Sequence, residues 1–248
     1  MCVAAIAWNA HPDWQLVAIG NRDEFHARPA APLAEWAEPS RIIAGRDLQS
    51  GGTWLGVSPQ GQFVLVTNLR GYGAPDPAKE SRGELVTRLL EGHGAPATLD
   101  QFNPFNLILV DAQGAHFLTN RPQATRAQLA HGVYGLSNGT LDEPWAKTMQ
   151  LKAALLDWLV DALDDPETLF RPLANESLGD YGLHPQGPSD ISMEANETPV
   201  FIRNPVYGTR CSTVVTVDRA GNGRIMERRF TDSGEFSGES ALEFRWPG

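Results

Sequence analysis

Cysteine, long apolar stretches and an excess of basic residues are all missing from this chain of 248 residues. Its two cysteines, Cys2 and Cys211, are too few for a disulfide scaffold or a zinc site built from thiolates. No apolar run approaches the roughly 20 residues that a membrane-spanning helix needs. The formal net charge of −10 excludes nucleic acid as the expected partner, because a phosphate backbone requires a concentrated basic surface.

The N-terminal segment lacks the basic residues that open a secretory signal, and its apolar run at 2–8 is short. We therefore expect a cytoplasmic protein. Composition is that of an ordinary globular chain, with 42% hydrophobic and 20% charged residues. The length fits one large domain, and no linker interrupts it, so a single domain over residues 1–248 is predicted.

Paired apolar segments separated by turn sequences predict four β-hairpins, and hence mainly antiparallel sheets. The predicted strand pairs are 2–8 with 14–20, 53–58 with 62–68, 105–111 with 115–120, and 214–218 with 224–230.

Helices are predicted in the middle of the chain. A capping box at Ser81-Arg82-Gly83-Glu84 precedes a helix over 85–91, and a short helix is expected at 165–173. The longest predicted helix covers 145–163, with one apolar face at positions 145, 149, 156, 159, 160 and 163. Polar residues 175–198 predict a long loop. Strands at both ends of the chain, with helices between them, favour packed sheets covered by helices.

Cys2 is the first candidate for chemistry. Removal of Met1 would leave a cysteine with its thiol and a free α-amine on one Cα, so one residue would supply both nucleophile and base. An amine with a pKa near 7.7–8.0 is partly neutral at physiological pH and accepts the thiol proton. The alternative is a small buried residue at the start of a strand.

A dense polar cluster, Asn21-Arg22-Asp23-Glu24, follows the second predicted strand and lies opposite Cys2 in the predicted hairpin. An arginine there would favour the thiolate, and a carboxylate would orient the amine. The alternative is a solvated turn with an ordinary ion pair. Two further strands are predicted to end in asparagine, at Asn68 and Asn138, and amides in that position can donate to an oxyanion.

Glycine-rich segments and a late arginine complete the set of motifs. Residues 45–56 contain four glycines but no phosphate-binding lysine motif, which favours a tight turn over a nucleotide site. Arg210 lies at the mouth of the last predicted hairpin, beside Cys211, which we interpret as a packing residue. The six histidines show no metal-binding spacing.

Taken in order, these motifs resemble the NRDE family, also called the transport and Golgi organisation protein 2 family, over roughly residues 1–230. The resemblance is carried by Met1-Cys2, Asn21-Arg22-Asp23-Glu24, Arg28-Pro29, Gly45-Arg46-Asp47, Gly51-Gly52-Thr53-Trp54-Leu55-Gly56, Thr67-Asn68, Ser81-Arg82-Gly83, Tyr134-Gly135-Leu136-Ser137-Asn138, Pro144-Trp145 and Tyr207-Gly208-Thr209-Arg210.

This resemblance implies an α+β fold of the N-terminal-nucleophile hydrolase type, a four-layer αββα sandwich of two antiparallel sheets flanked by helices. The cysteine branch of that fold uses a terminal Cys, an Arg and Asp after the second strand, two asparagines and a late Arg. The matching positions here are Cys2, Arg22, Asp23, Asn68, Asn138 and Arg210.

The resemblance implies two functional hypotheses, and a third is that the protein is an inert scaffold. The first is a hydrolase that cleaves a non-peptide amide or a thioester through Cys2, with no metal or organic cofactor required. In that reading Arg22 stabilises the thiolate, Asp23 orients the amine, and Asn68 and Asn138 bind the oxyanion, while Arg210 positions the network. The second is a carrier or chaperone for haem or an acyl-lipid ligand, without turnover.

Overall fold

The computed structural model describes residues 2–161, 165–178 and 198–247, and most of them form two antiparallel sheets. The six-stranded sheet contains, in spatial order, β10 (Gly132–Leu136), β1 (Cys2–Trp8), β2 (Trp14–Phe25), β11 (Tyr207–Asp218), β12 (Asn222–Phe230) and β13 (Phe236–Arg245). The seven-stranded sheet contains β3 (Ala30–Glu35), β4 (Ile43–Asp47), β5 (Leu55–Ser58), β6 (Gln62–Asn68), β7 (Phe105–Asp111), β8 (Gly114–Thr119) and β9 (Thr125–Leu129).

Helices cover the outer face of each sheet. Helix α1 spans Arg82–Leu90 and packs on the seven-stranded sheet, while α2 (Ala146–Val160) and α3 (Phe170–Leu173) pack on the six-stranded sheet. A 3₁₀ turn at Pro166–Leu169 leads into α3. The four-layer αββα order implied by the family resemblance is therefore confirmed. No helix within the described ranges is long and apolar enough to span a membrane.

Side-chain alternation along β1 assigns one set of residues to each face of its sheet. Val3 and Ala5 contact the helix layer, where Leu151 and Leu155 of α2 are buried against them. Ala4 and Ile6 point the other way, into the core shared by the two sheets. Because successive residues of a strand alternate between faces, Cys2 belongs to the face between the sheets.

All four predicted hairpins are present, and the four-residue motif Asn21–Glu24 lies inside a strand rather than after it. Strand β2 continues to Phe25 because β1 and β11 pair with it on either side and satisfy its backbone groups. The interpretation of this motif as a solvated turn is therefore wrong. Strands β3, β4, β9 and β13 were not predicted as strands, and β10, which was predicted to end at Asn138, ends two residues earlier at Leu136.

The helix predictions are confirmed in position and corrected in detail. Ser81 is the N-cap of α1, but its hydroxyl makes no capping hydrogen bond, so the predicted capping box is not formed. The first turn is instead tied to the segment between β4 and β5, where the Thr53 N–H donates to the Gly83 carbonyl at 3.2 Å. The predicted end of α2 at residue 163 and most of the predicted loop 175–198 lie outside the described residues.

The predicted apolar face of α2 is only partly correct. Met149, Leu156 and Val160 are exposed, whereas the helix buries Lys147, Thr148, Leu151, Leu155, Trp158 and Leu159. The buried set keeps the three- and four-residue spacing of one helix face, but it includes two polar residues at its N-terminal end. Those two residues lie at the end of the helix that covers the candidate site.

Candidate active site around Cys2

Three residues stand in a row across the six-stranded sheet at the end of β1. Cys2 pairs with Arg22 of β2, and Arg22 pairs with Cys211 of β11. Directly paired residues point to the same face, so the Arg22 side chain separates the two cysteines. Two strand spacings place their Cα atoms about 10 Å apart, beyond the reach of a disulfide.

Arg22 is buried, with 5% of its surface exposed, and contacts on two sides fix its position. One guanidinium nitrogen, Nη2, donates to Asp47 Oδ2 at 3.2 Å, and the guanidinium carbon lies 4.5 Å from the centroid of the Trp54 ring. Asp47 Oδ2 also accepts from Arg28 Nε at 2.6 Å. Nη1 of Arg22 has no hydrogen-bond partner within the described residues, which leaves a donor for a bound group.

Asp23 points to the opposite face of β2, beneath helix α2. It is 2% exposed, and its Oδ1 accepts a hydrogen bond of 2.7 Å from the Thr209 hydroxyl. Burial raises the pKa of this carboxyl to about 6, although nearby Lys147, Thr209 and Arg22 act in the opposite direction. Asp23 is therefore poised to exchange a proton near neutral pH.

Lys147 of α2 is a buried cation that the sequence analysis missed. It is 1% exposed, and its ammonium group donates to the Thr198 hydroxyl at 3.0 Å and lies 5.7 Å from the centroid of the Trp145 ring. Burial lowers its pKa to about 8, and the charges of Asp23 and Cys2 oppose that change. A charged lysine is rarely buried without a partner, so Lys147 belongs electrostatically to the site.

Two asparagines come together where β6 and the segment after β10 meet. Asn68 ends β6 as predicted and is exposed, whereas Asn138 follows β10 by two residues and is fully buried. Asn138 Nδ2 donates to the Asn68 carbonyl at 2.7 Å, and the Arg70 N–H donates to the Asn138 carbonyl at 2.9 Å. The Asn138 amide thus holds the backbone that carries Asn68.

Arg210 lies in a bulge of β11, between Thr209 and Cys211. The bulge sets Thr209 opposite Asp23 and sends the Arg210 side chain to the turn after β2. Its Nη1 donates to three carbonyls, those of Phe25, His26 and Arg28, at 2.9–3.1 Å. Arg210 therefore holds the turn that carries Arg28, and Arg28 shares the Asp47 carboxylate with Arg22.

A cavity of about 460 Å³ opens beside the thiol. Of the six residues predicted from the resemblance, Cys2, Arg22, Asp23 and Asn68 line it, while Asn138 and Arg210 lie behind its wall. The remaining lining includes Trp54, Thr53 and Arg82. The two glycine motifs meet here as well: a Cβ at Gly52 would lie 2.2 Å from the carbonyl carbon of Gly83, so only glycine allows this approach.

Cys2 is half-buried, and its Ser137 contact fixes the backbone, since the Ser137 hydroxyl donates to the Cys2 carbonyl at 2.7 Å. Burial raises the pKa of the thiol and outweighs the charge of the N-terminal amine, the Asp23 backbone hydrogen bond and the Arg22 charge, which lower it. The Arg22 charge thus favours the thiolate, as expected, but burial has the larger effect on the pKa of the thiol. Burial also raises the pKa of Cys211 well above its usual range, and Glu227 adds to the effect.

The chain matches one known protein family along nearly its whole length. The sequence profile of the family described as Transport and Golgi organisation 2 matches residues 1–232. The human "Transport and Golgi organization protein 2 homolog" is 31% identical over 269 aligned positions, covering 94% of each chain. The Drosophila melanogaster "Transport and Golgi organization protein 2" is 26% identical over 93% of each chain.

Among solved structures, a Caenorhabditis elegans N-acylethanolamine-hydrolyzing acid amidase ortholog aligns with 86% of this chain and 92% of its own, at 12% identity and a TM-score of 0.46. The family profile covers most of the chain, including Cys2, the motif in β2 and Arg210. The chain belongs to the Transport and Golgi organisation 2 family.

Proposed function

We propose that this protein is a hydrolase that uses Cys2 as an N-terminal nucleophile and cleaves a non-peptide amide or a thioester. One observation carries the proposal: Cys2, Arg22, Asp23 and Asn68, which are far apart in the sequence, line one cavity. A nucleophile, a buried cation, a titratable carboxyl and an amide donor are the groups that acyl transfer requires. The proposal includes removal of Met1, which frees the α-amine of Cys2.

The raised pKa of the thiol supports general-base catalysis in the first step of this proposal. The α-amine of Cys2 accepts the thiol proton while Sγ attacks the carbonyl carbon and the carbonyl π electrons move to oxygen. The side-chain amide of Asn68 donates to that oxyanion. Arg22, fixed by Asp47 and Trp54, stabilises the negative charge on sulfur as it develops.

Collapse of the tetrahedral intermediate breaks the bond from carbon to nitrogen, or to the leaving sulfur, and the leaving group takes the proton from the amine. Water then attacks the Cys2 thioester, with the amine again as base, and releases a carboxylic acid and the free thiol. Asn138 and Arg210 act in this scheme as positioning residues, because their donors are engaged by backbone carbonyls.

The first test establishes whether the nucleophile is available and used. The chain is expressed in cells with an active methionine aminopeptidase, and its intact mass is measured; the expected mass lacks Met1. A panel of N-acyl amides and acyl thioesters is then assayed. Cys2→Ala is expected to lose turnover on the order of a thousandfold or more, while the control Cys211→Ala retains it. Retained turnover in Cys2→Ala, or a chain that keeps Met1 and still hydrolyses, contradicts the mechanism.

Carriage of haem or an acyl-lipid is the competing proposal, and the same variants separate it from hydrolysis. Affinity of an apolar ligand derives mainly from buried area, so haem binding by the cavity wall would be unchanged in Cys2→Ala. Haem held by Cys2 as an axial thiolate would instead lose affinity and shift its Soret band in that variant. Haem binding without any turnover favours the carrier, and turnover that depends on Cys2 favours the hydrolase.

A further inference from the structure

A second cavity of about 500 Å³ continues from the Cys2 cavity. The two share Asn68, Pro75, Arg82 and Asn103, so a ligand can extend from one into the other without leaving the surface. Charged side chains in the described lining of the second cavity are Arg70 and Arg82, and that lining includes no carboxylate. The carboxylates nearby, Glu24, Asp47, Asp76 and Glu80, line the Cys2 cavity instead. Two arginines thus face one cavity on a protein whose net charge is −10.

Eight of the other fifteen arginines form an ion pair with an acid of the described residues. Arg28 binds Asp47, and Arg203 binds Glu176 at 2.8 Å. Neither Arg70 nor Arg82 forms an ion pair with a carboxylate of the described residues, although Glu24 influences Arg82 from the Cys2 cavity. An arginine in a concave site without an acidic partner is a ready receptor for an external carboxylate or phosphate.

Arg82 lies at the junction between the cavities and Arg70 lines the second cavity, and hydrogen bonds to backbone carbonyls hold the chain near both. Arg82 is half-buried, and its Nη1 donates to the Pro104 carbonyl at 3.0 Å, which leaves its other guanidinium donors for a ligand. The close approach of Gly52 to Gly83 holds the start of α1, and therefore Arg82, against the loop beside Cys2. The Arg70 N–H binds the Asn138 carbonyl, which ties Arg70 to the amide that holds Asn68.

We propose that Arg70 and Arg82 form a subsite for an anionic group, a carboxylate or a phosphate, on a ligand whose reactive carbonyl lies at Cys2. The part of this proposal that concerns the reaction at the carbonyl rests on the proposed function. The subsite itself requires only that Cys2 and the two arginines lie in connected cavities. The substrate class is then an acyl amide or thioester that carries a negative charge at a distance from the bond that breaks.

The experiment uses two maleimides of matched length, maleimidohexanoate with a carboxylate at its end and N-hexylmaleimide with a methyl group. Sγ adds to the maleimide double bond and the thiol proton ends on the neighbouring carbon, so labelling reports on Cys2 without any turnover. Modified peptides are identified by mass spectrometry. The ratio of the two rates, normalised to that of mercaptoethanol, measures recognition of the charge.

Wild-type protein is expected to prefer the anionic probe, and Arg82→Gln and Arg70→Gln are each expected to lower that ratio by roughly threefold to tenfold. Arg82→Lys retains the charge and keeps most of the preference. Arg88→Gln, at the other end of α1 and outside both cavities, is the matched control and leaves the ratio unchanged. Added salt reduces the preference, since it screens exposed charges.

Competition distinguishes the two sources of negative charge. Inorganic phosphate that slows the anionic probe more than glutarate does identifies a phosphate subsite, and the reverse order identifies a carboxylate subsite. A ratio that is the same in wild type and Arg82→Gln, or that falls equally in Arg88→Gln, overturns the proposal. A ratio that depends on the arginines, without turnover of any substrate, supports the subsite and counts against hydrolysis. Turnover with a ratio that is the same in wild type and the arginine variants supports hydrolysis and counts against the subsite.

Discussion

Replacing Asp23 by Asn should change how the stability of this protein depends on pH. Burial raises the pKa of the Asp23 carboxyl from its ordinary 3.8 to about 6. Between these values the folded chain holds a proton that the unfolded chain has released. The free energy of unfolding therefore falls as the pH rises through this window. Below it the carboxyl is protonated in both states, and above it the buried charge destabilises the fold by a constant amount.

The size of this effect follows from the two pKa values. At about 1.4 kcal/mol for each pH unit, the buried carboxylate costs the folded state about 3 kcal/mol above pH 6. Asn keeps the shape and can still accept from the Thr209 hydroxyl, but it does not titrate. The stability of Asp23→Asn relative to wild type should therefore rise by about 2–3 kcal/mol between pH 4 and pH 7.

Urea denaturation at a series of pH values measures this difference, provided that the slope with denaturant is the same for both proteins. Asp13→Asn is a suitable control, because Asp13 is exposed and lies at the far end of β2. A difference between wild type and Asp23→Asn that is independent of pH would refute the burial of an ionisable carboxyl at this position. So would a difference that changes in the opposite direction.

Four further results are expected. Wild type should gain about 3 kcal/mol in its free energy of unfolding between pH 8 and 10.5, because the unfolded Lys147 holds a proton there that the folded one has released. Lys147→Met should remove this gain. Urea denaturation at these pH values measures it, and a gain that persists in the variant contradicts the prediction. A thiol probe should label Cys2 much faster than Cys211, because Cys211 is only 4% exposed and burial raises the pKa of its thiol. Mass spectrometry of the labelled peptides measures both rates, and faster labelling of Cys211 would contradict the assignment of Cys2 as the reactive cysteine. Gly52→Ala should cost about 1–3 kcal/mol of stability because its Cβ meets the backbone of α1, and an unchanged melting temperature contradicts that contact. Arg210→Gln should lower the free energy of unfolding by about 1–3 kcal/mol, because three backbone carbonyls lose their donor. The midpoint of urea denaturation should therefore fall, while the rate at which a thiol probe labels Cys2 should change little.

Local pattern was enough to predict the hairpin that creates the site. Two apolar segments around a turn set Cys2 opposite the polar cluster, and the observed register pairs Cys2 with Arg22. The predicted end of the second strand at residue 20 was wrong, because a run of polar residues predicts a turn unless the strand that pairs with it is known. β11 comes from the other end of the chain, and its pairing with β2 is what keeps Asn21–Glu24 extended.

Lys147 shows why the rest of the site was not predictable from local pattern. Hydrophobicity selected Met149, Leu156 and Val160 for the buried face of α2, and all three are exposed. The actual face is set by the end of the sheet that the helix covers, where Asp23 offers a charge to a buried cation. A lysine on a helix has no local signal that distinguishes a solvated position from a buried one, and only the tertiary contact decides.

Burial favours the protonated thiol of Cys2 over the thiolate. Burial raises the pKa values of the Cys2 thiol and the Asp23 carboxyl and lowers that of Lys147, so all three groups are shifted toward their neutral forms. A thiol in that state is a poor nucleophile toward adventitious electrophiles and oxidants. In the proposed mechanism the α-amine that follows loss of Met1 is the group that changes this, because it lies on the same residue as the sulfur. Processing of the N-terminus would then act as the activating step, and Arg22 would stabilise charge only as the reaction creates it.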